Sequence, residues 1–424
     1  MRLLFQRYLQ QKLNGGFFIM INSGDTAFML VSTMLVMFMT PGLGLFYGGL
    51  VRSKNVLSII LQSFISLGIV SIIWIFYGYS LAFGPDIHGF IGNFDWACLN
   101  GVGLTPGRYS DSIPHLLFCA FQLMFAIITP ALITGAYAER MKFSAFIIFT
   151  VLWTTFVYLP VCHWVWGGGW LGKLGALDFA GGTVIHINSG AAALVVAFMI
   201  GKRKGWGKDA IMPHNLTMTL LGAGILWFGW FGFNAGSSLS AGGLATMALL
   251  TTQLSAGTGA VSWIAAEWIY HGKPTTLGVA SGALAGLVAI TPAAGFVGPV
   301  SAILIGLIAG IICCFAMSLK TKFGYDDALD VVAVHGIGGI WGALATGLFA
   351  SKAINPAGFD GLFYGNPKQL LIQAIGVIAA IAYSTIVTIF IVKIIDYIVG
   401  LRITEEEEIQ GLDVSLHNEV GYTM

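Results

Sequence analysis

The stretch Asp178-Phe-Ala-Gly-Gly-Thr-Val-Ile-His186 is matched in pattern by Asp327-Ala-Leu-Asp-Val-Val-Ala-Val-His335. Each stretch opens an apolar segment, carries a His eight residues after an Asp, and is followed by a Gly four residues after the His, at Gly190 and Gly339. Eight residues of helix rise about 12 Å. A helix that starts at the edge of a ~30 Å hydrocarbon core therefore carries its His roughly to the middle. The sequence predicts two histidines near the midplane of a membrane.

The composition is that of a membrane protein. Charged residues make up 9% of the 424 residues and apolar ones 57%, whereas an average soluble domain has roughly 25% charged residues. We therefore expect a lipid bilayer around the chain. The net charge of +1 gives no reason to expect nucleic acid as a partner. The five Cys follow no metal or redox spacing, and we expect no metal and no cofactor.

Eleven apolar stretches are long enough to cross a membrane as helices, which takes about 20 residues. They lie near 26–49, 57–83, 113–138, 143–161, 180–201, 214–236, 243–270, 275–296, 299–319, 329–350 and 369–399. The two Asp–His stretches open the fifth and the tenth, which pairs spans 1–5 with spans 6–10. Because five is odd, the halves are inverted relative to each other. The predicted fold is an all-α polytopic membrane protein with eleven transmembrane helices, an inverted 5+5 repeat plus a final helix. Coincidence among Gly-rich spans is the alternative.

The basic residues predict the orientation, because Lys and Arg are enriched in cytoplasmic links. One set of links holds eleven of them and the alternate set holds four: Arg52, Lys54, Arg140, Lys142, Lys202, Arg203, Lys204, Lys208, Lys273, Lys320 and Lys322 against Arg108, Lys173, Lys352 and Lys368. The richer side is expected to be cytoplasmic. We therefore expect the protein in the cell membrane, with its N-terminus and the link 84–112 outside and its C-terminus in the cytoplasm.

The predicted organisation has three parts. Residues 20–400 form the membrane domain, with a first repeat at 22–201, a second repeat at 214–350 and the last helix at 369–400. Residues 401–424 form a cytoplasmic tail. Residues 1–19 are an N-terminal extension whose Arg2, Arg7 and Lys12 would lie on the wrong side. Their apolar run is too short for a signal peptide, and we hypothesise that native translation starts at Met20.

Polar side chains at the middle of a membrane are costly and point to function. We expect both midplane imidazoles to be neutral, since burial disfavours the charged form. Each neutral ring offers one donor and one acceptor, which suits a small hydrogen-bonding solute or a proton relay. Two alternatives remain: hydrogen bonds that only hold helices together, and a pair of axial ligands for a b-type haem.

Aromatic side chains gather towards the predicted outer side. Phe121 and Phe125 lie four residues apart on one face of the third span. Trp230, Phe233 and Ser237 share a face of the sixth span, and Trp166 lies in the link after the fourth. An aromatic belt at the membrane interface is one interpretation. The other is a site for a small cation, which is attracted to ring faces by about 0.5–2 kcal/mol per ring.

Long motifs in order make the chain resemble the Amt/Mep/Rh ammonium transporters, and specifically the prokaryotic Amt branch. The resemblance covers about residue 22 to the end. It rests on Pro41-Gly-Leu-Gly-Leu-Phe-Tyr-Gly-Gly-Leu-Val-Arg52, Gly135-Ala-Tyr-Ala-Glu-Arg140, His163-Trp-Val-Trp-Gly-Gly-Gly169, Leu177-Asp-Phe-Ala-Gly-Gly-Thr-Val-Ile-His-Ile-Asn188, Trp230-Phe-Gly-Phe-Asn-Ala-Gly-Ser237 and Val334-His-Gly-Ile-Gly-Gly339.

The resemblance implies a homotrimer with one conduction path in each subunit. By motif position it implies an outer ammonium recruitment site at Phe125, Trp166 and Ser237, and a gate of stacked rings at Phe125 and Phe233. It also implies pore-lining His186, His335 and Trp230. Asp178 matches an acid near the recruitment site, which we expect to orient backbone groups at a helix start rather than to bind the ion.

The expected function is transport of ammonium, or of methylammonium as an analogue. NH4+ is recruited at the outer site and deprotonated near the gate, and NH3 passes the two histidines, with net proton transfer. We find no nucleophile with a base and no phosphate-binding loop in the sequence, so we do not expect an enzyme.

The tail from residue 401 carries four adjacent Glu, which is typical of a solvated segment. Leu412, Val414 and Leu416 instead indicate packing against basic links that include Arg203 and Lys204. The tail resembles the family's regulatory C-terminus, which implies a P-II signal protein of the GlnK type as a partner. An ammonium sensor or scaffold with incidental transport is the alternative function.

Overall fold

The structure, a computed structural model, describes residues 21–423 and consists almost entirely of helices. The predictions for residues 1–19 and for a start at Met20 lie outside the described residues. Eleven long helical segments follow one another along the chain. They are α1 (Ser23–Leu50), α2 (Ser53–Phe83), α3 (His115–Ala136), α4 (Phe143–Leu174), α5 (Gly182–Ile200), α6 (Leu216–Gly236), α7 (Gly243–His271), α8 (Thr276–Ile290), α9 (Pro299–Phe323), α10 (Val332–Phe349) and α11 (Pro367–Val399).

These segments coincide with the eleven predicted apolar stretches. Within residues 21–423, nine of them are long and apolar enough to cross a membrane. Of the other two, α7 has 29 residues but is less apolar, and α8 has only 15. The predicted all-helical membrane fold is confirmed, and the arrangement is consistent with eleven crossings.

The eighth predicted stretch is too long. It was placed at 275–296, but α8 ends at Ile290, and Pro292 follows two residues later. Pro292 has no backbone N–H with which to continue the helical hydrogen bonds, and residues 291–296 form turns instead. The carbonyl of Pro292 accepts a hydrogen bond from the Phe179 N–H at 3.1 Å. The early end of α8 thus supplies a partner for the backbone that leads into α5.

The link at 84–112 folds into two small antiparallel hairpins, which the sequence did not predict. In the first, β1 (Asp86–Ile87) pairs with β2 (Ile91–Gly92), and in the second, β3 (Pro106–Gly107) pairs with β4 (Ser110–Pro114). The Asp86 carboxylate lies 2.9 Å from Nε2 of buried His163 and accepts a hydrogen bond from Lys173. Burial raises the pKa of Asp86, but the hydrogen bonds from Lys173 and His163 outweigh it and lower the pKa to about 2. We call this side of the molecule the loop face.

In the part of the chain that the structure describes, four helices contain a π-helical turn. Two of these turns lie in α2 and α4, at Trp74–Gly78 and Thr154–Tyr158. The other two open α5 and α10, at Gly182–Ile187 and Val332–Ile337, and carry the two predicted pore histidines. Such turns are rare and are frequent at functional sites. Their occurrence at equivalent places in α5 and α10 is the local symmetry that an inverted repeat requires.

Small residues let α5 and α10 approach each other closely. A Cβ atom on Gly190 would lie 2.4 Å from the Cα atom of Gly336, and one on Gly339 would lie 3.0 Å from the Cβ of His186. No side chain fits at the first position without moving the backbone. The glycines that follow each His in the sequence thus allow the two helices to bring their histidines together.

A buried cluster of charges lies at the opposite side, which we call the tail face. Nε and Nη2 of Arg203 donate to the two carboxylate oxygens of Asp326, each at 2.9 Å. Glu139 lies 3.5 Å from Arg203 and 2.6 Å from Arg52. Burial raises the pKa values of Asp326 and Glu139, but the neighbouring guanidinium groups outweigh it and hold both below their ordinary values. The cluster ties together four links between helices.

The tail lies on this face as two short helices, α12 (Glu405–Gln410) and α13 (Leu412–His417). The Asp413 carboxylate accepts hydrogen bonds from the N–H groups of Leu57 and Ser58, at 3.0 and 2.8 Å. In return, the Asn55 side chain accepts from the Leu412 N–H at 2.9 Å. Each segment thus caps the other's helix start, which satisfies donors that a helix leaves unpaired.

The predicted packing of the tail is partly wrong. Leu412 is buried and Leu416 is half-buried, but Val414 is exposed. In a helix, residues four apart share a face and residues two apart do not, so Val414 points away from the side that Leu412 covers. Lys204 contacts the tail through its acidic residues instead, since its N–H donates to Glu408 and its ammonium group pairs with Glu405. Arg203 pairs with Asp326 and Glu139.

Candidate functional site

A cavity of about 300 Å³ opens on the loop face and is lined by three of the predicted site residues. Trp166, Asp178 and Ser237 line it, together with residues that the sequence did not single out: Phe83, Tyr109, Phe118, Gln122, Val165, Phe179, Leu239 and Phe296. We call it the first cavity. Aromatic and apolar side chains form most of its wall, and the polar groups are few.

Trp166 and Ser237 are both held by hydrogen bonds to backbone carbonyls. The indole Nε1–H of Trp166 donates to the Asp178 carbonyl at 2.8 Å. The Ser237 hydroxyl donates to the Phe233 carbonyl at 2.8 Å. Because its proton is used in this way, the Ser237 oxygen has only lone pairs left to offer. The first cavity thus combines a ring face with a hydrogen-bond acceptor.

Asp178 holds the start of α5. One carboxylate oxygen accepts from the N–H groups of Gly181 and Gly182, at 2.7 and 2.6 Å. The other accepts from Thr183 and Val184, at 2.8 and 3.1 Å. A carboxylate that accepts four backbone N–H groups has little capacity left for a bound ion. This geometry matches the expected role of orienting backbone groups.

Two stacked rings close the bottom of the first cavity. The ring centroids of Phe125 and Phe233 lie 4.3 Å apart with an angle of 33° between the planes. Phe125 also meets Trp166 edge to face, with centroids 6.0 Å apart. Phe121 lies against the far side of Phe125 at 4.8 Å. Both gate rings are almost fully buried, so a solute can pass only if they move.

A second, much narrower cavity of about 20 Å³ lies behind these rings and is lined by the two histidines. Trp230, Phe233, His186 and His335 line it with apolar side chains. The Nδ1 atoms of His186 and His335 are 3.1 Å apart, and the rings are nearly parallel, at 20°. Trp230 stacks on His186 at 5.5 Å, and its Nε1–H donates to Thr291. The structure thus brings together all the predicted pore residues.

The contact between the histidines limits their protonation. A hydrogen bond between two Nδ1 atoms requires that one carries a proton and that the other does not. In a neutral pair, one Nε2 is then a bare acceptor and the other is a donor. Nε2 of His186 is buried, with no hydrogen-bond partner among residues 21–423. The pair can therefore exchange a proton with a solute in the second cavity.

This geometry does not fit the haem alternative. An iron bound by both imidazoles would have to lie between their coordinating nitrogens, with the macrocycle separating the rings. Here the two facing nitrogens are at hydrogen-bond distance and the rings lie against each other. The two histidines form a pair with each other.

A third cavity of about 50 Å³ leads from His335 towards the tail face. It shares Phe46, Tyr47, Leu284 and His335 with the second cavity, and Asp330 lies at its other end. Lys320 pairs with Asp330 at 2.6 Å. The three cavities thus form a series along the molecule. The gate rings lie between the first and the second, and the histidines line the second.

Sequence reasoning missed Gln122 and Tyr109 in the first cavity. Gln122 is adjacent to Phe121 on α3, and its polarity within an apolar span is a signal of a functional position. Tyr109 belongs to the link between β3 and β4, and its hydroxyl donates to the Phe83 carbonyl at 2.5 Å. No periodicity marks a residue in such a link, so its position required the structure.

Comparison with known proteins agrees with this geometry. A profile of the Ammonium Transporter Family matches residues 27–422. An ammonium transporter of Bacillus subtilis (strain 168) is 56% identical over 400 residues, 94% of this chain and 98% of that one. The ammonium transporter Amt1 of Archaeoglobus fulgidus is 52% identical over 403 residues, 95% of this chain and 100% of that one.

Solved structures show the same fold. Mep2 of Candida albicans superposes with a TM-score of 0.86 at 38% identity, over 91% of this chain and 88% of that chain. A sensor Amt protein superposes with a TM-score of 0.86 at 33% identity, over 93% and 98%. The matches extend over nearly the whole described chain and place it among multi-pass membrane transporters rather than enzymes. The chain belongs to the ammonium transporter family.

Proposed function

We propose that the protein carries ammonium through the three cavities by recruiting NH4+ in the first, removing a proton at the gate, and passing NH3 beside the histidine pair. The observation that supports this most directly is the order of the groups. An aromatic cavity with one hydroxyl acceptor is followed by a closed ring pair and then by two hydrogen-bonded imidazoles. Each group suits one step.

The first cavity suits a cation that must lose water. Removing an ion from water into an apolar environment is very costly. The ring of Trp166 attracts a cation by about 0.5–2 kcal/mol, and the Ser237 oxygen can accept one of its N–H groups. Asp178 is committed to backbone donors, so it contributes a fixed negative charge nearby rather than a ligand.

The second cavity suits a neutral solute. The groups that line it carry no fixed charge, so a bare NH4+ would be poorly stabilised there. NH3 can instead form a hydrogen bond with the donor nitrogen of the histidine pair. The proton left by NH4+ can bind the acceptor nitrogen, while the other ring releases its proton towards the third cavity. This relay, completed by water, leads to net transport of charge.

We extend the proposal to the orientation of the protein in the membrane and to its oligomeric state. We infer that the protein is a homotrimer in the cell membrane, with the loop face outside and the tail face in the cytoplasm. The excess of Lys and Arg in the links of the tail face supports this orientation. We further infer that residues 20–400 act as the transport domain, with repeats at 22–201 and 214–350 and a last helix at 369–400. The tail from residue 401 regulates it.

Reconstitution into liposomes tests the function. Uptake of labelled methylammonium and the accompanying current are measured in the same preparation, with protein-free liposomes as the control. We expect saturable uptake with an inward positive current and no potassium current. Absence of uptake would exclude transport, and uptake without current would exclude net proton transfer.

A second candidate function is that of an ammonium sensor or scaffold for a P-II protein. The likeness to a sensor Amt protein favours it, as does the way in which the tail is held by Asp413 and Glu408. A bound P-II protein would meet the tail at the same face as the third cavity. The uptake measurement separates the two candidates, because a scaffold with incidental transport shows no saturable uptake at physiological ammonium concentrations.

A further inference from the structure

The last long helix, α11, makes an unusual contact with the backbone beside the first cavity. The side-chain amide of Gln373 pairs with Leu177 in both directions. Its Oε1 accepts from the Leu177 N–H at 2.7 Å, and its Nε2 donates to the Leu177 carbonyl at 2.7 Å. Nε2 also donates to the Ala343 carbonyl of α10 at 3.1 Å. Gln373 is buried.

Leu177 lies in a part of the chain where no helix supplies hydrogen-bond partners for its backbone N–H and carbonyl groups. Residues 175–181 join α4 to α5 without regular structure, yet Leu177 is buried. Irregular backbone at this depth is tolerated only where protein groups satisfy its donors and acceptors. Gln373 supplies one of each, as a neighbouring strand would. Gln369, one turn away, donates to the Gly175 carbonyl at 2.9 Å.

The residue after Leu177 is Asp178, and its position decides that of the recruitment groups. The Asp178 carbonyl accepts the Trp166 indole N–H, and its carboxylate holds the start of α5. A shift of Leu177 would therefore move Trp166, whereas the packing of Gly190 against Gly336 still holds α5 beside α10. The contact with Ala343 is less demanding, since that carbonyl belongs to the interior of α10, where the helix keeps its own hydrogen bonds.

We propose that Gln373 is a positioning residue for ammonium recruitment, and that α11 holds the outer site in place through it. This inference rests on the proposed function. Loss of the amide weakens binding in the first cavity, because Trp166 and Asp178 lose their support. It leaves the passage beside the histidines unchanged, because α5 and α10 still pack through Gly190 and Gly336. Apparent affinity changes, and the maximal rate does not.

Gln373→Met tests this, since methionine has a similar length and no amide. The matched control is Thr388→Val, which removes a buried hydrogen bond between α11 and Trp153, away from the Leu177 segment. Both variants are compared with the wild type at equal amounts of folded protein. We expect KM for methylammonium to rise about tenfold in Gln373→Met, from the loss of one or two buried hydrogen bonds. We expect the maximal rate to stay within about twofold, since the unsupported segment lies outside the second cavity.

Gln373→Glu provides the rescue. A protonated carboxyl group has one donor and one acceptor in the same arrangement as the amide. At low pH this variant is therefore expected to recover the wild-type KM, measured against wild type at the same pH, whereas Gln373→Met is not. A merely structural role predicts equal losses in both variants at every pH.

Amide hydrogen exchange gives a readout that does not depend on transport. We expect the peptide containing Leu177 to exchange faster in Gln373→Met and to be unchanged in Thr388→Val. Unchanged exchange in Gln373→Met would overturn the proposal, whether or not the protein transports. Faster exchange with an unaltered KM would also overturn it, because the segment would then be mobile without consequence for recruitment. If the wild type shows no uptake, the proposed function fails, but the role of Gln373 can still be tested by binding. Added methylammonium is then expected to change the exchange of the Leu177 peptide in the wild type and not in Gln373→Met. The same response in both would overturn the inference.

Discussion

The Nδ1 atoms of His186 and His335 face each other at 3.1 Å, so only one of the two can carry a proton at that contact. The two rings therefore act as a unit, in which the state of one determines the state of the other. The histidines come from π-helical turns on two different helices and are nearly parallel. Replacing either ring removes the partner of the other and leaves a buried nitrogen unsatisfied.

We predict that His186→Ala or His335→Ala abolishes or alters selective conduction without preventing trimer assembly. An unsatisfied buried group costs about 1–3 kcal/mol, which corresponds to a loss of roughly 5- to 150-fold in conduction. Currents in liposomes with ammonium and with potassium measure the effect, and gel filtration measures assembly. The control is His88→Ala, an exposed residue of the loop face. Unaltered current and discrimination in both pore variants would assign the histidines to packing.

We predict that Trp166→Leu weakens the apparent affinity of the first cavity. Loss of one ring face costs about 0.5–2 kcal/mol, up to roughly thirtyfold in KM. The concentration dependence of methylammonium uptake measures this, and Trp268→Leu serves as the control because that ring is exposed at the far end of α7. A concentration dependence equal to that of wild type would place Trp166 in an interfacial belt.

We predict that Arg203→Met destabilises the protein much more than Lys204→Met does. Removing Arg203 leaves the buried carboxylate of Asp326 without its main partner and leaves Glu139 with Arg52 alone, and breaking a buried ion pair costs about 3–5 kcal/mol. The Lys204–Glu405 pair is exposed, and its loss has little measurable effect. Thermal unfolding in detergent compares the two variants, and equal melting temperatures would contradict the prediction.

The pH dependence of this difference follows from the two carboxylates. Their pKa values in the folded protein are lowered, so their stabilisation is present above the unfolded values of about 4. It is lost as the pH falls through the folded values, where both groups take up protons. The melting temperatures of wild type and Arg203→Met should therefore differ at pH 7 and converge below about pH 4.

We predict that a trimeric P-II protein binds the tail face in a nucleotide-sensitive way and inhibits transport. The tail offers the partner an ordered surface, because Glu408 accepts from Arg402 and Lys204, and Lys54 donates to two tail carbonyls. The full-length protein is compared with a variant that ends at Leu401 in a binding assay with the cognate P-II protein. Equal binding by both would show that the tail takes no part in P-II binding. No binding by either would exclude regulation by the P-II protein.

Much of this molecule can be predicted from its sequence, because a bilayer imposes long apolar helices on it. The spacing of Asp178 and His186, repeated at Asp327 and His335, also predicts the pairing of the histidines, since helical rise converts a count of residues into depth. The sequence does not indicate the end of α8, because the apolar stretch continues past Thr291 and Pro292. The helix itself does not continue, since Pro292 lacks a backbone N–H.

Contacts between distant polar groups could not be predicted. Gln373 is a lone amide on an apolar helix, and nothing in the sequence indicates that it pairs with Leu177, 196 residues earlier. The exposure of Val414 was missed because the tail was interpreted from its composition, and only the helical period of α13 separates Val414 from Leu412. Both cases depend on which surfaces meet, and a single sequence does not encode this in any periodicity.

The caps that Asn55 and Asp413 provide for each other's segments have a consequence for biosynthesis. The backbone N–H groups at the start of α2 gain their acceptor only when Asp413 has been made, 356 residues after Leu57. At about 5–20 residues per second, the ribosome needs roughly 20–70 s to reach it. Until then, Leu57 and Ser58 must be satisfied by water or lipid headgroups at the membrane surface. The helix α2 is thus among the last to be finished, although it is made early, and a chain that stops before Asp413 retains an incomplete start of α2.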